Sequence, residues 1–579
     1  MTPSLDPVTL EVIRNALPAI ANEMAADLTR TSYNMMIYEV RDFCTSIVDI
    51  KGQLIAQNAG GVSHFVADLG VIVEDAVKRY GLGGFNPGDV LITNHQAVAG
   101  QHLNNMVVYA PVFRDGQPVY FAMVRAHWID IGGHSTGFGG GPEVSDPWLE
   151  GLQINQHKIL EAGRPNETLF RMIGDNVRYP QSSLGDLRSQ IAACHLAVRR
   201  FDELFERFGP DTLSRAISQI FDETEAKCRK VLAGLPDGIY EAESFLDHDL
   251  VEKSEPIRLH ARIEIRGSDM TVDLSGCASE RRAGINARTL AAARVAYAAL
   301  TAPLAPMNEG SFRALKVIIP EGNLMMARFP APMSLWSVSL PTVVDVILKA
   351  LAPAMRDFIP AAHHGTLGGA IVFFGRHPET GQSFIVQSLE GGGWGGRPHE
   401  DGESATLSVC QGDVRNASIE GIELKCPVLI EERSLRPDSG GPGKYRGGLG
   451  LDVRVRNLVE GYWNMPSSQR TKAPPWGLWQ GKDGGTAGFL LKEPGDEKFR
   501  PMEVHRYPVP VDSEVVVRTG GGGGWGDPME RDPEAVRWDV MEGAISLPAA
   551  QEEYGVVLNC STLAVEVAAT ARLRSKEQL

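Results

Sequence analysis

Residues 44–57, CTSIVDIKGQLIAQ, decide the fold class. Their hydrophobic period is two on both sides of Lys51-Gly52, which predicts a strand, a tight turn and a second strand. Immediately upstream the period is that of a helix. Leu10, Ile13, Leu17, Ile20, Met24 and Leu28 recur at three- and four-residue intervals and form one apolar face. Asp6 followed by Pro7 offers an N-cap and a first-turn proline. Pro18 predicts a kink or break inside that helix.

The alternation continues downstream. Asp68 to Arg79 reads as helix, and Asp89 to Ile129 reads mostly as strands with Gly116 in a turn. Ser182 to Leu235 is a long helical region, followed by strands between Gly238 and Gly276. Helices are expected at Thr289–Leu300 and Val343–Met355, and a glycine-rich, strand-like stretch from Gly365 to Ile430. Beyond Pro427 strands and turns dominate, until Asp532-Pro533 opens a helix and Pro548 a shorter one that stops at Gly555; a short charged tail ends the chain. Helices and strands thus come in separate runs, which is the pattern of an α+β protein with mixed sheets, packed helices and a strand-rich C-terminal part. Four regions are expected: 1–180, carrying a His/Asp cluster; 181–240, helical; 241–430, mixed; and 431–579, strand-rich, with a glycine loop and terminal helices.

Composition removes several function classes. Fifty-six basic against 72 acidic residues leave a net charge of −16, which argues against nucleic acid and anionic membranes as partners. No apolar run reaches membrane-spanning length, and the segment MTPSLDPVTLEVIRNAL lacks the parts of a secretory signal. Seven scattered cysteines without a C-x-x-C pair indicate neither a disulfide framework nor a cysteine zinc site. A cytoplasmic enzyme component is expected. Glycine is in excess, 62 of 579 residues, and this predicts tight turns and close backbone approaches.

The candidate chemistry lies in the first third of the chain. His64, His95, His102, His127 and His134 are five of fourteen histidines, and Asp42, Asp68 and Asp130 lie among them. Histidine with carboxylate is the ligand set of a catalytic zinc, manganese or iron site, which supplies a Lewis acid and an activated water. Singly, each histidine is better read as satisfying a strand-edge hydrogen bond; as a group they favour a metal or catalytic centre. Gly520–Gly524 follow the strand EVVVR and precede a helix, the layout of a phosphate cradle, but no Lys-Ser/Thr completes it, so a structural glycine cluster is the better reading. No G-x-S-x-G elbow and no dinucleotide fingerprint occur, so no ATP or NAD site is expected on this chain. Cys44 reads as a small buried thiol rather than a nucleophile. His363-His364 is open between a substrate contact and a helix-end turn. Trp336, Trp394, Phe43 and Phe138 are candidates for an apolar pocket, though such residues are more often core.

Six motifs carry a family resemblance: RDFCTSIVD (41–49), GDVLITN (88–94), RAHWIDIGG (125–133), PMNEGSFRALKVIIPEG (306–322), LRPDSGGPGKYRGGLG (435–450) and GGGGGWGDPMERDPEAV (520–536). In this order, and over essentially the full length, the chain resembles the hydantoinase B / 5-oxoprolinase family. The resemblance implies a hydantoinase B-like fold and the B-type subunit of an ATP-dependent enzyme. Its implied partner is an A-type subunit of the actin-like, sugar-kinase-like ATPase superfamily, which holds ATP and Mg and phosphorylates a small-molecule substrate. The expected assembly is a heterotetramer. The expected reaction is opening of a cyclic amide or imide, such as a hydantoin or a lactam. The alternative is a ketone carboxylase component of the acetone or acetophenone type. A third reading is a catalytically degenerate scaffold subunit. The resemblance carries a catalytic set of Asp42, His102, His127 and Asp130. Its metal set is Asp42, His102, Asn105 and His127, for a divalent zinc, manganese or iron. Three positions depart from the family pattern: Asn105 replaces an acid, Trp128 replaces a second histidine, and Asn94-His95-Gln96 replaces N-D-P. Either His95 or Asn105 completes a modified site, or the metal is held weakly, or it is lost; a retained but modified site is favoured.

Overall fold

The computed structural model describes residues 5–137, 144–249, 251–366, 369–464, 470–502 and 505–576. They form two compact units. Unit 1 comprises Met1–Glu241, His260–Leu340 and Cys410–Arg415; unit 2 comprises Ala242–Leu259, Pro341–Val409 and Asn416–Leu579.

Unit 1 is built on a seven-stranded antiparallel sheet. Its strands are β1 (Phe43–Asp49), β2 (Leu54–Gln57), β3 (Val90–Thr93), β4 (Asn105–Arg114), β5 (Gln117–His127), β6 (His157–Glu161) and β7 (Arg164–Pro165), in the order β2-β1-β5-β4-β3-β6-β7. The expected hairpin is present, with Gly52 at φ +80 where a left-handed turn residue is needed. Because successive side chains alternate, each central strand offers two different faces. Met106, Val108, Ala110, Ala122, Val124 and Ala126, with Phe43 and Ile47, point to a core shared with the helices Pro7–Thr31 and Pro180–Phe208. Asp6 caps the first helix by accepting from the Thr9 N–H at 2.9 Å. That helix runs unbroken through Pro18, so the break allowed for in the sequence does not occur. The long helical region beyond residue 180 is two helices. Gly209, at φ +74, closes Pro180–Phe208, and Pro210 opens Pro210–Leu232. A smaller sheet in this unit pairs Asp269–Asp273 antiparallel with Arg262–Arg266 and parallel with Leu315–Ile318. The mixed α+β architecture expected from the sequence is therefore observed.

Unit 2 contains two antiparallel sheets, one of four strands and one of five. In this unit glycine segments lie side by side as bare backbone. A Cβ on Gly521 would stand 1.7 Å from the Ser439 carbonyl oxygen, and one on Gly522 would stand 1.9 Å from that of Trp394. Only glycine allows main chains to approach this closely. The run Gly521–Gly524 donates its N–H groups to Gly485, Gly448, Ala362 and Lys482 at 2.8–3.0 Å. With those donors consumed it is a packing element and not a phosphate cradle. Asp532 caps the helix Pro533–Met541 as expected, whereas the tail expected to be short and charged contains a further helix, Val567–Lys576. The helix expected at 343–355 begins earlier and spans Trp336–Leu351.

Candidate functional site

The face of the unit 1 sheet turned away from those two helices carries the polar residues. Register aligns them. Asn105 on β4 is opposite His127 on β5, and the His127 N–H donates to the Asp42 carbonyl at 3.0 Å, just before β1. One pleat further, Val107, Arg125 and Cys44 form the next row. His102 enters from the turn that precedes β4, where the Asn105 N–H returns to the His102 carbonyl at 3.2 Å.

Three side-chain atoms meet there. His102 Nε2 is 2.9 Å from Asn105 Oδ1, His127 Nδ1 is 3.2 Å from His102 Nε2, and His127 Nδ1 is 3.3 Å from Asn105 Oδ1. A relay of amides sets the direction of Asn105. Its Nδ2 donates to Gln101 Oε1 at 2.8 Å, and Gln101 Nε2 donates to the His64 carbonyl at 3.1 Å. The amide oxygen therefore faces the histidines.

The His102 turn is braced from below. Glu150 accepts from Gln96 Nε2 at 2.8 Å and from the Leu103 N–H. Asn94 Nδ2 donates to the Leu103 carbonyl at 2.8 Å, and Asn104 Nδ2 donates to that of Trp128 at 2.8 Å. Trp336 is buried, with its ring 4.4 Å from that of His64 and 5.7 Å, edge-on, from that of His102.

Burial dominates the electrostatics. It pulls the His102 imidazole down to about 4, against the hydrogen bonds from Asn105 and the Ser334 main chain. His64, whose Nδ1 donates to the Cys410 carbonyl at 2.8 Å, is pulled down to about 3. Desolvation pushes the Asp42 carboxyl up to about 7, with the Arg125 guanidinium opposing it, and pushes Glu150 up to about 8. The Cys44 thiol is pushed up to about 12, so it stays protonated and inert at neutral pH.

Of the residues the sequence singles out, His102, Asn105 and His127 converge. Asp42 adjoins them through its main chain, while its buried carboxyl feels Arg125. Asp130 lies in another setting: Arg178 binds it through Nη1 at 2.9 Å and through its backbone N–H at 2.6 Å. His95 rests on the Phe329 ring at 5.0 Å, and His134 is exposed, its N–H donating to Leu149 O at 2.8 Å. Asp68 accepts from Gln101 Nε2 at 3.4 Å and from the Leu290 N–H at 3.4 Å. Trp128 follows His127 and so points to the opposite face, where its Nε1 donates to Gln190 Oε1 at 2.8 Å inside the helix-packed core. Phe43 is core, and in unit 2 Trp394 Nε1 donates to the Leu407 carbonyl at 2.6 Å. Phe138 is outside the described residues. Glu150 and Gln101 escape a reading of the sequence, because a single carboxylate or amide carries no spacing signal.

The donor set suits a divalent cation. Two imidazole nitrogens and an amide oxygen within 3.3 Å of one another match a three-ligand face with open positions. Among the described residues no cluster of three or more His, Cys, Asp or Glu side chains is placed to hold a metal, so a cation held here would need Asn105 as its third donor.

Residues 6–528 match the model of the family described as hydantoinase B/oxoprolinase. The chain belongs to the hydantoinase B/oxoprolinase family. It is 31% identical to the B-type component of a putative D-/L-hydantoinase from a Pseudomonas species, over 96% of both chains. Its fold superposes on the crystal structure of the ATP-dependent caprolactamase from Pseudomonas jessenii with a TM-score of 0.90, at 27% identity, covering 99% of this chain and all of that one. It also superposes on nucleotide-free acetone carboxylase with a TM-score of 0.89, covering 99% of this chain and 83% of that one; at 17% identity this is a likeness of fold. The fold is thus hydantoinase B-like, and relatives in the family are named as subunits of larger enzymes. Among the described residues no helix is long and apolar enough to cross a membrane.

Proposed function

We propose that this chain is the B-type subunit of an ATP-dependent amidohydrolase that opens a cyclic amide or imide activated by a partner ATPase subunit, the two forming a heterotetramer in the cytoplasm. The observation that carries this reading is the convergence of His102, Asn105 and His127 on one sheet face in a hydantoinase B-like fold. An unstrained lactam resists water because amide resonance must be broken. Phosphorylation of the carbonyl oxygen by the partner, with its ATP and Mg, replaces one high barrier by two lower ones.

His102 Nε2, His127 Nδ1 and Asn105 Oδ1 would hold a divalent zinc, manganese or iron. When bound, such an ion supplies Lewis-acid activation of water at neutral pH. Burial keeps His102 a neutral donor. Asp42, its carboxyl pushed up to about 7 by burial, would release and recover a proton at its carboxyl oxygen. Trp336 shields the rings of His64 and His102 from solvent.

The test is the whole complex, assembled with its partner subunit and assayed for lactam or hydantoin opening. His102→Ala and His127→Ala are expected to abolish turnover while the complex still forms. Full activity in both variants would remove the assignment, and would fit a scaffold role. Asn105 also favours a second reading, carboxylation of a phosphorylated enol of a ketone, because a neutral donor replaces an anionic one. Incorporation of labelled bicarbonate into a 3-oxo acid, with no lactam opening, would select it.

A further inference from the structure

Among the buried ionisable side chains of unit 2, one cluster stands apart from the chemistry of unit 1. Asp345, His363, His364 and Arg470 are each at most 3% exposed. His363 Nδ1 donates to Asp345 Oδ2 at 2.6 Å. Arg470 Nη1 lies 3.5 Å from the same oxygen. The guanidinium is fixed on its other sides: Nε donates to the Ala473 carbonyl at 3.0 Å, Nη2 donates to that of Pro474 at 3.2 Å, and its central carbon lies 4.7 Å from the Trp476 ring centre. Arg470 adopts φ +68, a left-handed backbone that is uncommon for a non-glycine residue and tends to persist where the surroundings demand it. The cradle is cut in backbone. A Cβ on Gly365 would meet Arg470 Nη1 at 2.4 Å, and one on Gly392 would meet the His364 ring at 2.6 Å.

Two imidazole nitrogens in this cluster, His363 Nε2 and His364 Nδ1, are buried and lack a hydrogen-bond partner among the described residues, as does Arg470 Nη1, which has only its ion-pair contact with Asp345. Their state follows from what the opposite nitrogens do. His364 Nε2 faces the Thr406 carbonyl at 3.2 Å, an acceptor only, so it carries the proton and Nδ1 is the lone pair. His363 turns its Nδ1 to the Asp345 carboxyl, which leaves Nε2 as the ring nitrogen on the unpartnered side. Burial holds His364 well below its ordinary range, so this neighbouring ring, with its centre 4.8 Å away, stays neutral. A carboxylate that orients an imidazole and leaves the far nitrogen free is the arrangement of a general base.

We propose that Asp345 and His363 form a second, buried acid–base centre, in which His363 Nε2 accepts the proton of a neutral N–H or O–H acid. In that step the X–H bond breaks, its electron pair stays on X, and the proton bonds to Nε2. The imidazolium that results is stabilised by Asp345, which Arg470 holds in place. His363 is the group that touches the ligand; Asp345 and Arg470 are positioning residues. The chemistry of unit 1 is not needed for any of this.

The test uses the full chain labelled with 15N-histidine. Its probes are succinimide, a compact neutral N–H acid, and N-methylsuccinimide, which lacks that proton. His363→Gln and His364→Gln assign the signals. Succinimide is expected to move the His363 Nε2 resonance saturably, and N-methylsuccinimide to bind at least tenfold more weakly. Asp345→Asn is expected to weaken the succinimide response at least tenfold. If that variant does not fold, His364→Gln, which leaves the dyad whole, is expected to keep the response. An unmoved His363 signal with succinimide, or equal responses to the two probes, would overturn the proposal.

Discussion

Asn105 presents an amide oxygen where the family resemblance has an acid, and this one atom sets the charge of the donor triangle. With two neutral imidazoles and a neutral amide, any bound cation keeps its full charge, and its affinity is reduced. Asn105→Asp restores an anionic donor at the same reach. It is expected to raise affinity for zinc or manganese by on the order of tenfold, about 1.4 kcal/mol, read by calorimetric titration of the purified chain. Glu150 sets the turn that carries His102, and its protonation is linked to stability. Its folded pKa, about 8, lies above the ordinary carboxylate value. The folded state therefore holds a proton that the unfolded state releases between about pH 4.5 and 8. The stability this group contributes is complete below that window and is lost as pH rises through it, by about 1.4 kcal/mol per pH unit. In Glu150→Gln this loss is absent, so the difference in unfolding free energy, variant minus wild type, is expected to rise by about that slope between about pH 5 and 8. Denaturant titrations at several pH values check it; a flat difference would show that Glu150 is ionised in the fold. Motif and residue type mark His102, Asn105 and His127 in the sequence. Nothing there marks Glu150, whose importance comes from a hydrogen bond to a loop 47 residues away.

At the scale of elements, period two in β1, β4 and β5 does the sorting. It sends Val108, Ala110, Ala122 and Val124 to the helix core, and Asn105, Arg125 and His127 to the other face. The same rule separates His127 from Trp128: neighbours in sequence, they face opposite sides, so a tryptophan at the second position adds to the core without touching the triangle. The first hairpin and the first helix are legible because local period and capping specify them. The split of the 180–235 region needs only Gly209-Pro210, a signal present in the sequence but outweighed by the helical period on both sides. The glycine segments are legible as an excess and illegible as a structure, because what each glycine meets is another distant main chain. Gly522→Ala places a methyl 1.9 Å from a carbonyl oxygen. It is expected to destabilise unit 2 by about 3 kcal/mol or more, measured by denaturant unfolding. A change below about 0.5 kcal/mol would show that these backbones are not in close contact.

For the molecule as a whole, the proposed two-subunit reading makes a prediction about ATP. No glycine loop here ends in Lys-Ser/Thr, and the N–H groups of Gly521–Gly524 are bound to carbonyls. The chain alone is therefore expected to hydrolyse no ATP, and the complex with its partner to do so; robust ATPase activity of the isolated chain would contradict the two-subunit reading. The α+β class, the first helix, the first hairpin, the family and the three side chains that converge in the donor triangle are all written in the order of the residues. They rest on local period, capping and motif, which need no knowledge of distant contacts. Folding in three dimensions was required to show which segments share a unit, that Asp130 belongs to Arg178, that Glu150 and Gln101 support the triangle, and that His363 meets Asp345 and Arg470. Those pairings join residues that spacing does not link, and burial in a packed interior sets their partners and their protons.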